Sequence, residues 1–377
     1  MEFNFSWLLM TCAGLLAIAV LVQLYYVWLV FGKLAFYKSL DSPKPSPEPV
    51  SIIIAARNEY ENLQKNLPAI LEQDYPNFEV VVVNDCSWDE SQKLLEGMQQ
   101  QYPHLKVSQL IEQEKYPTGK KFALTIGIKA AANELLLFTD ADCRPAGNQW
   151  LKLMQQKFIS GKDIVLGFSP YSKSNSLLNL YIRFETLMTA MFYFSAAILQ
   201  NTFMGVGRNL AYRKSTFFKH KGFASHQHIL SGDDDLFVNQ AATPYNVAIQ
   251  LHPESFVYTE PKTSFETYAR QKRRHMSTGK YYKPGHKRFL GMYYASLFLF
   301  YASTVCMLLL DINQWPLVVA AYGVKLLSQF VVYYKAAQKL QCTSLVWFLP
   351  VLDMMYLFYL LVFGMGSLFT HKRTTWQ

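Results

Sequence analysis

The chain has 377 residues, a formal net charge of +9, and hydrophobic residues making up 51% of its length. The apolar residues crowd toward both ends, which argues against a wholly water-soluble protein and leaves one soluble domain between membrane segments. The excess basic residues flank apolar runs (Lys33 and Lys38, then Lys272, Arg273, Arg274, Lys280, Lys283, Lys287 and Arg288) instead of forming a stripe in the soluble part, so they point to an anionic lipid surface and away from nucleic acid. Cys12, Cys86, Cys143, Cys306 and Cys342 show no CxxC pair and no zinc spacing, as expected in a reducing compartment without a disulfide framework.

In chain order, the apolar run at 5–31 is too long for a signal-peptide core and lacks a basic start and a cleavage site, so residues 1–37 read as a retained anchor. Residues 38–49 contain DSPKPSPEP, an extended proline-rich linker. Val50–Ala56 is a continuous apolar run, the mark of a strand covered on both faces. A helix at 59–71, a strand at 78–84 and a weaker strand at 106–111 follow. A helix at 120–132, a strand at 134–139 and a further strand at 163–168 complete the run. This alternation predicts an α/β domain over 50–288 with a mostly parallel sheet covered by helices.

Residues 176–204 are apolar and aromatic but are interrupted by Arg183 and Glu185. An interfacial amphipathic helix fits this pattern, and a core helix of the soluble domain is the alternative. A second interfacial stretch is expected at 263–288, where Tyr281 and Tyr282 accompany lysines. Apolar runs at 289–310, 315–334 and 345–369 are each long enough to span a bilayer and place a membrane region at 289–370. Asp353 lies inside the last run, as a functional group or near an interface.

Acidic clusters carry the chemistry. In open α/β sheets, ligands bind beyond the carboxyl ends of strands. Asp85 and Asp89 follow the second strand, where Asp85 can accept a hydrogen bond from a nucleobase or ribose; the alternative is that both shape a turn and cap a helix. Asp140 and Asp142 form a DxD after the next long strand. Residues two apart on an extended chain project to one side, roughly 6.5–7 Å apart, which suits a shared Mg²⁺ or Mn²⁺ bridging a diphosphate. Lys120 and Lys121 can add positive charge there. Asp233, Asp234 and Asp235 precede an apolar run. They can cap a helix, or one of them, Asp234 by preference, can act as a general base whose affinity for a proton is raised by its neighbours. The arginines of QKRRH, residues 271–275, can grip a diphosphate or simply flank the membrane on its positive side.

Taken in order, SIIIAARNE from residue 51, NDCSWDES, TDADC, MGVGRNLAYR, GDDD and QKRRH resemble the motifs of membrane-bound members of glycosyltransferase family 2. Cellulose, hyaluronan and poly-N-acetylglucosamine synthases belong to that group. The resemblance implies a GT-A fold, a Rossmann-like mixed sheet, set between transmembrane helices. It implies that Asp85 meets the base of a nucleotide-sugar, usually uracil. Asp142 would be the direct metal ligand beside Asp140, and Asp234, with Asp233, would supply the catalytic base. Ala56, Asn58, Glu59, Lys120, Lys121, Gln271 and Arg274 would complete the donor site. Gly207, Arg208, Asn209 and His275 would line the acceptor site, with His275 standing where the family's QxxRW motif ends in tryptophan. A histidine offers less stacking surface and can carry charge, which weakens the case for a processive polymerase.

The expected function is that of an inverting, metal-dependent transferase moving a sugar from a nucleotide-diphosphate sugar, a UDP-sugar by preference, to a hydroxyl of a lipid-linked, glycolipid or polysaccharide acceptor. The rivals are a polyprenyl-phosphate glycosyl transferase and a non-catalytic nucleotide- or polymer-binding scaffold. The expected partners are the donor, a lipid-linked or polysaccharide acceptor, membrane lipids and a possible partner subunit, with no nucleic acid. The expected location is the inner membrane, with the α/β domain in the cytoplasm. With all spans crossing, the basic His371, Lys372 and Arg373 would fall outside, against the charge rule.

Overall fold

The computed structural model describes residues 2–38, 46–112, 119–229 and 231–364. Residues 39–45 of the expected linker, the end of the last span beyond 364, and the 371–373 basic cluster lie outside the described residues. The N-terminal run forms α1 (Glu2–Leu24), continues through a π-helical stretch (Tyr25–Phe31) and ends in the short α2 (Gly32–Ala35).

The α/β domain alternates strands and helices as its periodicity predicts. It opens with β1 (Val50–Ala56), α3 (Tyr60–Leu71), β2 (Phe78–Asp85), α4 (Ser91–Gln101) and β3 (Leu105–Leu110). Then come α5 (Lys120–Ala130), β4 (Leu135–Phe138), β5 (Cys143–Pro145), α6 (Trp150–Gln155) and β6 (Ile164–Leu166). The long α7 (Leu177–Ile198) leads to β7 (Leu210–Arg213), α8 (Lys214–Lys219), α9 (Asp235–Ala241), β8 (Val247–Ile249), β9 (Val257–Thr259) and α10 (Phe265–Met276). The chain closes with α11 (Pro284–Leu310), α12 (Trp315–Lys339) and α13 (Leu349–Tyr359).

The main sheet has seven strands in the order β3-β2-β1-β4-β7-β6-β8. β1, β2, β3 and β4 run parallel; β7 is antiparallel to both β4 and β6, so the sheet is mixed. Side chains alternate between faces along a strand. Ile52 and Ile54 of β1 and Val80 and Val82 of β2 therefore pack with Leu63, Leu67 and Ile70 of α3 and with Trp150 of α6. Ile53, Val81 and Val83 face the other way, into a core that contains Ala123 and Ile128 of α5 and continues through α7 into the long apolar helices at both ends of the chain. Gly127 permits this close packing: a Cβ there would stand 2.8 Å from Ile53 Cγ2.

Among the described residues, four helical stretches are long and apolar enough to cross a bilayer: Trp7–Ala35, Pro284–Leu310, Ile312–Lys339 and Thr343–Phe363. Helix α7 corrects the interfacial reading of 176–204. An amphipathic helix on a membrane surface keeps one polar face uncovered, but no residue from Leu178 to Ile198 is exposed. The helix is wedged between the sheet and the spans: Phe192 packs edge-to-face on Phe31, their ring centroids 4.9 Å apart, and Tyr193 donates its hydroxyl hydrogen to Gly167 O at 2.9 Å. By contrast, α10 keeps an outward face, with Phe265 and Arg270 exposed and Tyr268 and Ala269 buried.

Among the helices of membrane-spanning length, Asp353 is buried. Lys325 forms a salt bridge with Asp353 Oδ2 at 2.5 Å, Tyr301 donates to the same oxygen at 2.7 Å, and Gln329 donates to Oδ1 at 2.9 Å. A buried carboxylate is tolerable only when so paired.

Candidate active site

The carboxyl ends of β1 and β4, the start of α9 and the inner face of α10 converge on one cavity of about 770 Å³. Strand β4 ends at Phe138, and the chain turns through Asp140, whose carbonyl accepts from Cys143 N at 3.1 Å. That turn brings Asp140, Asp142 and Cys143 together, with their candidate ligand atoms all within 4.8 Å of one another. Cys143 is fully buried, burial holds its thiol well above the ordinary value, and it donates to Asp142 Oδ1 at 3.3 Å. A protonated thiol is a poor ligand, so what remains is a pair of hard carboxylates, a donor set that fits Mg²⁺ or Mn²⁺.

Lys120, the first residue of α5, enters between the acidic clusters. Its Nζ lies 2.8 Å from Asp140 Oδ1 and 3.2 Å from Asp233 Oδ2. Gly119 just before it has φ of 139°, a conformation that glycine adopts readily and that starts the helix in this direction. Facing carboxylates keep the Lys120 ammonium protonated, although burial opposes the charge.

Asp234 fits the capping reading. It is the N-cap of α9: Oδ1 accepts from Asp235 N at 2.7 Å, while Oδ2 accepts from Gly207 N at 2.7 Å. Burial, then the charges of Asp233 and Asp235, push its carboxyl up to about 7. Asp233 goes the other way, because Lys120 holds it ionised against its burial. Asp235 points elsewhere, its Oδ2 accepting from Tyr282 at 2.7 Å and from Thr278 Oγ1. One cluster thus contains an aspartate held down and two pushed up, of which Asp235 is anchored by Tyr282 and Thr278. Divergent proton affinities of this kind mark acid–base sites.

Glu59, Arg208, Gln271, Arg274 and His275 also line the cavity. Burial, then Asp142 and Asp140, push Glu59 up. Arg208 donates to Ser169 O at 3.3 Å and sits 4.7 Å from the centroid of the Tyr171 ring. Gln271 Oε1 is buried without a hydrogen-bond partner among the described residues, an acceptor left for a ligand. His275 lines the cavity from an exposed position, and partial desolvation with the charges of Lys272, Arg274 and Arg208 pushes its imidazole below the ordinary value.

Other expected residues stand apart from the cavity walls. Lys121 turns the opposite way from Lys120, donating to His226 O at 2.6 Å and Ile229 O at 2.9 Å. It ties down the loop ahead of the acidic cluster and is not placed to touch a diphosphate. Asn209 is fully buried: it accepts from Trp150 Nε1 at 3.0 Å and donates to Phe168 O and Ser255 O, each at 2.8 Å. Its polar atoms are committed to the scaffold, not to an acceptor. Gly207 acts through Asp234, because a Cβ there would meet Asp234 Oδ2 at 3.3 Å.

Ala56 is buried at the end of β1. Asn58, at φ 54°, donates its N–H to Ser87 Oγ at 2.9 Å and accepts from Trp88 N at 3.0 Å. Asp89 accepts from Tyr60 N at 3.0 Å and Ser91 N at 3.1 Å, so it shapes the turn and the helix start. Asp85 is fully buried, burial pushes its carboxyl up, and its Oδ2 has no hydrogen-bond partner among the described residues.

The far half of the cavity was missed from sequence. Beyond the acids, its walls are Glu185, Thr189 and Phe192 of α7, Leu290 and Tyr294 of α11, and Tyr356 of α13. The cavity therefore runs from the acidic clusters into the layer of membrane-length helices. The available signal was Glu185 itself, a charge inside an aromatic stretch.

Comparison with known proteins agrees with this architecture. Residues 51–220 match the family model described as Glycosyl transferase family 2. A 105-residue stretch is 38% identical to glycosyltransferase AglE of Haloferax volcanii, covering 27% of this chain and 33% of that protein. A 95-residue stretch is 30% identical to a poly-beta-1,6-N-acetyl-D-glucosamine synthase of Staphylococcus epidermidis, covering 25% of this chain and 22% of that one. The matched stretches thus span a third or less of these relatives. The mannosyltransferase PcManGT of Pyrobaculum calidifontis, solved with GDP-Man and Mn²⁺, superposes with a TM-score of 0.60 at 19% identity, over 97% of this chain and 100% of that one. The likeness establishes a shared GT-A fold.

Proposed function

We propose that this chain, whose residues 51–220 match the Glycosyl transferase family 2 model, transfers a sugar from a nucleotide-diphosphate sugar to a hydroxyl of a lipid-linked acceptor at a membrane, inverting the anomeric centre. The observation that carries this reading is the single cavity running from the Asp140, Asp142 and Asp234 carboxylates to Leu290, Tyr294 and Tyr356 on helices of membrane-spanning length. A polar donor fits one end and an acyl or prenyl chain the other.

The acceptor oxygen bonds to the anomeric carbon as the bond from that carbon to the diphosphate oxygen breaks, and the electron pair leaves with the nucleoside diphosphate. Asp234 takes the acceptor proton at its carboxylate; its proton affinity near neutrality suits a general base. Gly207 N–H fixes the orientation of that carboxylate. Asp140 and Asp142 would hold Mg²⁺ or Mn²⁺, which when bound neutralises charge on the departing diphosphate; the Mn²⁺ of PcManGT supports a divalent cation here. Arg274 and Lys120 supply fixed positive charge on the same side. Asp85, whose buried Oδ2 has no hydrogen-bond partner among the described residues, is an acceptor for the nucleobase beside the cavity. The basic residues Lys33 and Lys38, and Lys283 to Arg288, lie beside the candidate spans on the domain's side, which supports a cytoplasmic site.

The test is to supply radiolabelled UDP- and GDP-sugars with Mn²⁺ to the purified chain in nanodiscs of native lipid, and then to partition the products. Label entering the organic phase supports a lipid-linked acceptor. Label confined to a water-soluble polymer contradicts it.

A further inference from the structure

On the cavity wall, Glu185 of α7 and Lys272 of α10 form an ion pair that the transfer chemistry above does not use. Their side chains are only 6% and 10% exposed, and both line the cavity wall. Lys272 Nζ donates to Glu185 Oε2, and Thr189 Oγ1 donates to Oε1 at 3.0 Å. Among the described residues Lys272 makes no other hydrogen bond, so its ammonium keeps donors to spare. Each carboxylate oxygen likewise retains acceptor capacity. The pair stands among aromatic and hydroxyl groups that also line the cavity: Thr186, Thr189, Tyr294, Tyr356 and Tyr359.

A buried pair held only for stability is a poor investment, since apolar residues of similar volume often serve as well. On a cavity wall it has another use. A sugar hydroxyl donates and accepts at once, so adjacent hydroxyls can donate to Glu185 and accept from Lys272 while tyrosine rings cover the sugar's apolar face. A phosphate head carries about −1.5 to −2 charges and only acceptor oxygens. Glu185 would repel it, and the pair offers no net positive charge to offset that.

We propose that Glu185 and Lys272, with the surrounding tyrosines, form the subsite that reads a neutral sugar carried on the lipid acceptor, so that the attacking hydroxyl belongs to a glycolipid and not to a polyprenyl phosphate. This rests on the glycosyltransferase reading. The pair positions the acceptor sugar; it takes no part in bond making at the anomeric carbon.

The experiment uses the full chain in nanodiscs and two probes, a diacylglycerol bearing one neutral hexose and a polyprenyl phosphate. Binding of each is measured by native mass spectrometry with nucleotide and Mn²⁺ present, alongside separate calorimetry of nucleotide binding. The hexose lipid is expected to bind in preference to the phosphate lipid. Glu185→Gln should weaken hexose-lipid binding about tenfold, the scale of a charge-assisted hydrogen bond, and leave nucleotide binding unchanged. The exchanged double variant Glu185→Lys with Lys272→Glu keeps an ion pair between the helices. A purely structural role predicts that it restores hexose-lipid binding, whereas a reading role predicts normal thermal stability with binding still impaired. Tighter binding of the phosphate lipid, unchanged hexose binding in Glu185→Gln, or full rescue by the exchange overturns the subsite. Loss of nucleotide binding in the unaltered chain would instead overturn the glycosyltransferase reading beneath it.

Discussion

Asp234 should set the acid limb of the rate profile. An ordinary aspartate loses its proton near pH 4, whereas burial and the flanking charges of Asp233 and Asp235 move Asp234 to about 7. A general base must be deprotonated to act, so turnover should rise with pH through that value. At pH 5.5 about 3% of the Asp234 carboxyl is ionised, which places turnover about thirtyfold below its plateau. Replacing Asp233 with Asn removes one of the two neighbouring charges, and the limb should move to lower pH. Asp234→Asn removes the base and should cost about a hundredfold to ten-thousandfold in turnover, while nucleotide affinity stays close to that of the unaltered chain. The assay is nucleoside diphosphate release at saturating donor, acceptor and Mn²⁺ from pH 5 to 9, with nucleotide binding followed separately. A flat profile over that range, or an Asp234→Asn variant with near-normal turnover, would refute the base assignment.

Asp142→Asn should weaken Mn²⁺ binding, read by electron paramagnetic resonance of free Mn²⁺ in the presence of nucleotide, with Asp140→Asn giving a similar loss. Asn209→Ala leaves Trp150 Nε1 and two carbonyls without their partner and should lower stability by about 2–4 kcal/mol, measured by thermal unfolding in detergent. Lys325→Met strands the Asp353 carboxylate between helices and should cost about 3–5 kcal/mol, whereas adding Asp353→Leu should recover most of the loss. Gly207→Ala crowds Asp234 Oδ2 and should lower turnover more than it raises the KM for either substrate.

The α/β layering was legible because Val50–Ala56 and Phe78–Asp85 are apolar on both faces and are followed by helical spacing. The acidic clusters were legible because each follows a strand or opens a helix, where local sequence fixes position. What was hidden depends on side-chain direction or distant pairing. Lys120 and Lys121 are adjacent in sequence, but the α5 helix sends one to the carboxylates and the other to loop carbonyls. Asn209 looked like an acceptor contact, yet its partners come from Trp150, Phe168 and Ser255, which no local pattern reveals. Helix α7 read as interfacial since Arg183 and Glu185 break its apolar run. The ion pair of Glu185 with Lys272 is what lets that charge sit inside a covered helix.

The account stands most directly on sugar transfer by the purified chain in nanodiscs, with donor, Mn²⁺ and lipid acceptor supplied, measured beside Asp142→Asn and Asp234→Asn. The account predicts transfer by the unaltered chain that stops on chelation, with Asp142→Asn impaired in metal binding and Asp234→Asn impaired in turnover alone. Transfer that persists in both variants, or nucleotide binding with no transfer to any lipid acceptor, would contradict it.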